Sequence, residues 1–370
     1  MNTHMEERKK KRRSRKRLLL LILAAVALIA LAVILIVNGG IGGTLKALRG
    51  APAENYYYEH PGTSAYAAVG RGFAVLNSTE LNVWNEQGDK TYSAILSFKR
   101  PEISTGGDYA AAWDLRGTDV YAITENGLTY KASAEGRIIN VSINSKGYLA
   151  LCAEETGYGG TVTVYNPNGR ALYKVYSGSK YVYAARVNGS TDVAVLTFGD
   201  GESELKLYKV TEEEPKAAYA CPELILDLAA NDSGYVAVSD EKVIFLDKSL
   251  KVRAEYSYQG RHLINYSIKK DITAVVTGEY RVGGSHEIVT LENDGSVIAR
   301  METDEDITWF EMGDRAAAVL SPGKIEIFSY RLEPKESFAP PAGTEIVTFR
   351  DDENLLAVGP YSAELIELGK

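Results

Sequence analysis

A short apolar strand rich in small residues returns eight times between Phe73 and Gly359, at a spacing of about 40 residues. Its instances are FAVLN from Phe73, YAAAW from Tyr109, YLALC from Tyr148, DVAVL from Asp192, YVAVS from Tyr235, TAVVT from Thr273, AAAVL from Ala316 and LLAVG from Leu355. Each follows a strand that ends in a turn, as in INVSINSKG up to Gly147. Each precedes an alternating strand closed by turn residues, as in TVTVYNPNG up to Gly169. A fourth strand completes most units, for example RALYKVYS from Arg170. No long amphipathic period interrupts the series, so the region is all-β. Four strands in each repeat of this length predict a β-propeller of eight four-stranded blades, with a seven-bladed ring containing one irregular segment as the alternative. The small residues have a physical reason. Radially arranged sheets crowd near the axis, and Ala, Gly and Val let neighbouring blades approach.

The eighth unit lacks an outer strand, because after LLAVG and AELIELG the chain reaches Lys370. The segment Asn55-Tyr56-Tyr57-Tyr58-Glu59 precedes the first inner strand and has no partner of its own. It is expected to supply the missing strand, so that the N- and C-terminal strands close the ring and remove an exposed sheet edge. The 24 tyrosines, against eight phenylalanines, are read as packing residues of half-exposed strands. Trp84, Trp113 and Trp309 fall on expected strands and are read in the same way.

Upstream, Leu18 to Val37 (LLLLILAAVALIALAVILIV) carries no charge, polar group or glycine and follows the basic stretch from Arg8 to Arg17. At about 1.5 Å per residue such a helix matches a hydrocarbon layer of roughly 30 Å. The expected organisation is a basic cytoplasmic tail (1–17), one transmembrane α-helix (18–37), a glycine-rich linker (38–53) and an extracytoplasmic propeller (54–370). Basic residues before a first helix stay inside, which puts the single-pass chain in the cell membrane with its N-terminus cytoplasmic. A cleaved signal peptide would have a shorter apolar run ending at a small-x-small site, and the nearest such tripeptide, Ala51-Pro52-Ala53, lies well downstream. Beyond the helix, 32 basic side chains face 47 acidic ones. That balance disfavours nucleic acid as a partner.

Few residues suggest chemistry. Cys152 and Cys221 are read as two unpaired, partly buried thiols in neighbouring repeats, close enough to permit a bridge without requiring one. His286-Glu287-Ile288-Val289-Thr290 begins like a zinc-protease helix, but it lacks the second histidine and alternates like a strand. Gly70-Arg71-Gly72 and Gly157-Tyr158-Gly159-Gly160 open no helix and are read as turns. The acidic clusters, among them Asp351-Asp352-Glu353, are read as solvated turns. Five Asn-x-Ser/Thr triplets begin at Asn77, Asn140, Asn188, Asn231 and Asn265, and most coincide with expected turns. No catalytic, cofactor-binding or metal-ligating residue is assigned, and no cofactor is expected.

The connections between second and third strands look long in three units: Glu154 to Gly160, Phe198 to Ser203 and Gly278 to Ser285. They share one ring face with the connections to the next blade, including QGRHL from Gln259 and APPAG from Ala339, whereas most connections on the opposite face are expected to be tight. Loop elaboration on one face of a rigid ring builds a recognition surface. Tyr158, Phe198, Tyr280 and Arg281 are its candidate aromatic and cationic anchors for a protein or envelope-component partner.

The repeated element in VWNEQGDKTYSAI from Val83, VYNPNGRALYKVY from Val164 and LENDGSVIARM from Leu291 resembles the repeats of WD40-like and quinoprotein-like (PQQ-like) propellers. With the basic tail, the apolar helix and the NYYYEH segment, the whole chain resembles an uncharacterised bacterial family of single-pass membrane-anchored propeller proteins, grouped as a domain of unknown function. Trp113-Asp114 ends a second strand rather than a third, and the regular Trp docking motif of quinoprotein dehydrogenases is absent. The expected function is a non-catalytic binding or scaffold module in envelope assembly or sensing. The alternative is a quinoprotein-like oxidoreductase or a hydrolase with its site over the central channel.

Overall fold

The computed structural model describes residues 53–59 and 64–369. The expected basic tail, transmembrane helix and all of the linker before residue 53 lie outside the described residues. No helix among the described residues is long and apolar enough to cross a membrane. The described chain forms eight antiparallel sheets of four strands each. These are blades 1 to 8, with strands a to d counted from the inside of the ring outward. Blades 1 to 7 span 64–95, 101–133, 138–177, 181–221, 225–257, 262–303 and 309–338. Strands a of most neighbouring blades contact one another around the inside of the ring, blade 1 meets blade 8 there, and blades 5 and 6 are joined by a shared apolar cluster. The ring is closed with eight blades, not seven.

All eight small-residue strands of the sequence reading are strand b of a blade, and most are buried along their whole length. Their side chains alternate between two neighbours. In blade 4, Val193 and Val195 enter the apolar cluster shared with blade 3, while Ala194 and Leu196 enter the one shared with blade 5. A strand covered on both faces needs a continuous apolar run rather than polar alternation, which explains the pattern. The core is therefore distributed as eight clusters, one between each pair of adjacent blades. Truncating Leu196, which is fully buried, to alanine is expected to cost about 2–5 kcal/mol.

Asparagines reinforce the blade-to-blade contacts. Asn144 Nδ2 donates to Val187 O (3.1 Å) and Gly189 O (2.8 Å), Asn188 Nδ2 to Asn231 O (3.2 Å), and Asn231 Nδ2 to Lys270 O (3.3 Å). Each bond carries the chain from one blade to the next, across blades 3 to 6. Asn188 and Asn231 begin two of the Asn-x-Ser/Thr triplets, and Asn77 of a third is buried with its Oδ1 accepting from Thr79 N and Glu80 N. These side chains hold the fold together.

Blade 8 is completed as expected. Its strands a to c are Ile346–Asp351, Asn354–Val358 and Ser362–Glu367, and its strand d is Asn55–Tyr57. Asn55 pairs with Glu364, Tyr56 with Ala363 and Tyr57 with Ser362. Three pairs make a short ladder, and the rings strengthen it. Tyr56 is 5.4 Å from Phe73 and 6.3 Å from Trp84, while Tyr58 contacts Tyr66, Phe73 and Trp84. Such ring pairs contribute about 0.5–1.5 kcal/mol each beyond area burial. Tyr58 Oη also donates to Gly359 O (2.6 Å), tying the first described segment to the last blade.

An ion network covers the same seam. Arg71 bonds Glu86 (2.8 Å) and reaches Asp351 of blade 8 (3.1 Å), while the buried Arg350 lies 3.7 Å from the same carboxylate. Gly70-Arg71 and Asp352-Glu353 are turns, as the sequence implies, and the structure adds a role for the residues beside them. Arg71 in the first turn pairs with Asp351, which is half-buried at the end of strand a of blade 8 rather than solvated, because closure brings the two turns together.

Cys152 in strand b of blade 3 and Cys221 in strand d of blade 4 are free, buried thiols in neighbouring blades. Burial pushes Cys152 up to about 12 and Cys221 up to about 11. His286 opens strand c of blade 6, and Trp113-Asp114 ends strand b of blade 2, both as the alternation implies.

Candidate binding face

In a four-stranded blade the b–c and d–a connections emerge at one end, here the loop face, and the a–b and c–d connections at the other, the turn face. The loop face carries two long b–c connections, 154–159 in blade 3 and 279–285 in blade 6, and the d–a connection 339–345. The blade 4 connection differs from the sequence reading. Strand b (Asp192–Gly199) and strand c (Glu202–Lys209) are separated only by Asp200 and Gly201, with φ of 57° and 79°. Asp-Gly is the dipeptide that a tight hairpin turn with two left-handed residues favours, so the strands extend and Phe198 lies on one of them. On the turn face, 210–216 is as long as any loop opposite, so length alone does not separate the faces.

Apolar exposure separates them clearly. Among the described residues, the exposed large apolar side chains at the turn face are Leu128, Leu172, Val252 and Val297, all near the start of a strand d. The rest cluster at or near the loop face, including Ile95, Leu224, Val282 and Tyr361 besides the aromatic residues described below. Ala53, the first described residue, lies at the opposite end, where its N donates to Glu86 O in a c–d turn.

The four candidate anchors divide into two sectors. Tyr158 and Phe198 belong to blades 3 and 4, and Tyr280 and Arg281 to blade 6. In blade 6, Arg261 from the d–a connection holds the base of the loop, with Nε donating to Thr277 Oγ1 (3.2 Å) and Nη2 to Ser285 O (3.1 Å). Tyr280, Arg281 and Val282 project from it, and Val282 is 91% exposed.

The sector on blades 3 and 4 is more closely built. Gly159 N donates to Ser177 O and Gly178 O, and Val182 N donates to Gly159 O, so the 154–159 loop lies on the linker between the two blades. A Cβ at Gly159 would stand 1.9 Å from Lys180 O, so only glycine permits this approach. Tyr158 then packs 4.9 Å from Tyr176, and Tyr181 pairs directly with Phe198 across strands a and b. Tyr181 is 72% exposed and Tyr158 52%.

The sequence reading missed Tyr176, Tyr181 and the exposed Tyr183. The sequence reads all three as packing tyrosines, and the available signal is the alternation Tyr181-Val182-Tyr183 beside a blade boundary. A β-bulge between Val182 and Ala184 accompanies the outward placement of Tyr183.

Charges in this sector are paired. Lys180 meets Glu202 (2.5 Å) and Glu204 (3.3 Å), Lys206 meets Glu204 (3.0 Å), and Lys174 meets Glu135 and Glu155 (3.3 Å each). Burial alone would lower the Lys174 pKa, but hydrogen bonds to Glu135, Tyr176 and Glu155 outweigh it and push Lys174 up to about 12. A groove of about 370 Å³ runs between the blades past Ser177, Lys180, Thr197 and Glu204. On the inside of the ring, Arg186 donates to Asp227 (2.7 Å) and Asn140 (3.3 Å), linking strands a of blades 3, 4 and 5. This pair is satisfied within the protein.

These features define a closed, eight-bladed propeller of WD40-like fold with an apolar, loop-bearing face. Residues 53–197 match DUF5711, a family of unknown function. No curated protein matches the chain. Among solved structures, the chain is similar to Saccharomyces cerevisiae Sqt1, at 10% identity and a TM-score of 0.62 over 87% of this chain and 100% of that one. The Dos1 propeller is similar at 13% identity and a TM-score of 0.59, over 86% and 95% of the two chains. The WD40 domain of SCAP from fission yeast is similar at 12% identity and a TM-score of 0.55, over 85% and 98%. Likenesses at such identities establish the fold alone.

Proposed function

We propose that this protein is a membrane-anchored, extracytoplasmic and non-catalytic binding module of a bacterial envelope, and that its loop face is the docking surface. The observation that carries this reading is the concentration of exposed aromatic and aliphatic side chains on one face of the ring, the face opposite Ala53. Closed propellers are rigid platforms whose connections can vary without disturbing the blades, which suits binding and scaffolding. The apolar run of Leu18 to Val37 and its basic flank support the anchor and the outward orientation.

Photo-crosslinking from the full chain in its native membrane tests the docking surface. A photoreactive residue replacing Tyr158 or Tyr280 is expected to yield discrete adducts, and one replacing Lys251 on the turn face is not. Equal labelling from both faces, or turnover in a substrate screen without any adduct, would overturn the proposal. Protease accessibility of the C-terminal domain from outside the cell tests the orientation, and protection there would reverse it.

A further inference from the structure

The loop face carries a projection on blade 6 and a hollow on blade 7, and their chemistry is complementary. The projection is the connection 279–285. Its midpoint is the almost fully exposed Val282, preceded by the exposed Tyr280 and Arg281. Arg281 forms no ion pair among the described residues, and with Arg261 at the base it outweighs Glu279. The projection is therefore apolar at its tip and cationic.

The hollow is an open cleft of about 560 Å³ on blade 7 and its connection to blade 8. The b–c turn supplies Pro322, the 339–345 connection supplies Pro340 and Pro341, and Thr308, Thr344 and Glu345 also line it. Prolines give these walls a restricted backbone. Thr344 N and Oγ1 both donate to Pro341 O (3.2 and 2.8 Å), and Glu345 N donates to Val358 O (2.8 Å). The cleft is thus formed before anything enters it, which lowers the entropic cost of binding. Its charge is negative. Lys324, beside the turn, is engaged by Glu326 (2.7 Å) and Glu305 (3.7 Å). Glu345, and the exposed Asp304 and Asp306 on the connection leading to Thr308, have no cationic partner among the described residues.

We propose that this face is a self-association surface, in which the blade 6 loop of one copy enters the cleft of a second copy and the reverse contact forms with it. The loop is a b–c connection and the cleft is walled by another, so both stand at similar distances from the ring axis. A two-fold axis lying in the face between them sets each loop over the other copy's cleft, the self-complementary arrangement of a closed dimer. Val282 and Tyr280 then meet the proline walls, and Arg281 meets Glu345, so that each supplies the charge the other lacks. The inference rests on the loop face being the binding surface and names a second copy of the chain as its partner.

The test uses the full chain in detergent micelles, followed by sedimentation velocity up to about 100 µM. A dimer with a Kd of about 10 µM or tighter is expected, and Arg281→Glu and Glu345→Arg are each expected to weaken it about tenfold. Combining the two reversals should restore the affinity to within about threefold, because the pair re-forms with its charges exchanged. Lys251→Glu on the turn face should leave it unchanged, and unaltered circular dichroism would show that all variants are folded. A photoreactive residue replacing Val282 should join two copies through peptides from 339–345. A monomer throughout, a dimer indifferent to the single reversals, or no recovery in the double variant overturns the proposal, as does a dimer without that crosslink. If the chain stays monomeric while crosslinks from Tyr280 capture a different protein, self-association falls and the wider reading of the loop face stands. If no partner of either kind appears, both fall.

Discussion

Tyrosine is used in opposite ways at the seam between blades 8 and 1 and at the loop face of blades 3 and 4. At the seam, Tyr56 and Tyr58 are 1% and 8% exposed and pack among Phe73, Trp84 and Tyr66. Their rings supplement a ladder of three residue pairs. On blades 3 and 4, Tyr158 and Tyr181 rest on a ladder that is already complete and extend beyond it. The first pair stabilises the ring, and the second is free to meet something else. What separates them is whether a neighbouring blade covers the strand at that height.

Replacing Tyr56 with alanine should have the largest effect on stability. It removes a fully buried ring from the closure, and a loss of about 3–5 kcal/mol is expected in urea unfolding monitored by tryptophan fluorescence. A loss below about 1 kcal/mol would mean that the ring contributes little to closing the blades. Tyr58→Phe should have a smaller effect, about 1 kcal/mol, because the ring remains and only the bond to Gly359 O disappears.

The same hydroxyl sharpens the comparison at alkaline pH. Burial raises the Tyr58 pKa, whereas an unfolded tyrosine ionises near 10. The stability held by the neutral phenol is fully present below pH 10 and declines as pH rises further, because the unfolded state then loses its proton first. Unfolding midpoints of Tyr58→Phe should therefore fall less steeply above pH 10 than those of the unaltered protein. Parallel curves would argue against a buried neutral phenol at the seam.

Asn188→Ala should cost about 1 kcal/mol by the same unfolding assay, since it deletes one bond between blades 4 and 5. Tyr181→Ala should change stability least, within about 0.5 kcal/mol, because its ring is mostly exposed. A larger loss would show that the ring is structural and would erase the contrast with Tyr56.

Much of the architecture is legible along the chain. The small-residue strands from Phe73 to Leu355 mark all eight blades, because a strand covered on both faces must be apolar throughout, and that requirement is local. Asn55 to Tyr57 could be assigned to the last blade because an unpartnered β segment and an incomplete repeat imply each other. The exposure of Tyr158 and Phe198 at the loop face is legible from loop patterning, although Phe198 lies on a strand beside the short Asp200-Gly201 turn.

Other features depend on the ring being closed. Arg71, Glu86 and Asp351 meet only because turns of blades 1 and 8 become neighbours, and nothing in their local sequence distinguishes them from solvated turns. The same is true of Asn144, Asn188 and Asn231, whose partners lie about 40 residues onward. Periodicity along one strand determines which face of a blade is apolar. It cannot determine where the adjacent blade stops covering that face, and this boundary decides which tyrosines belong to the core and which remain available for binding.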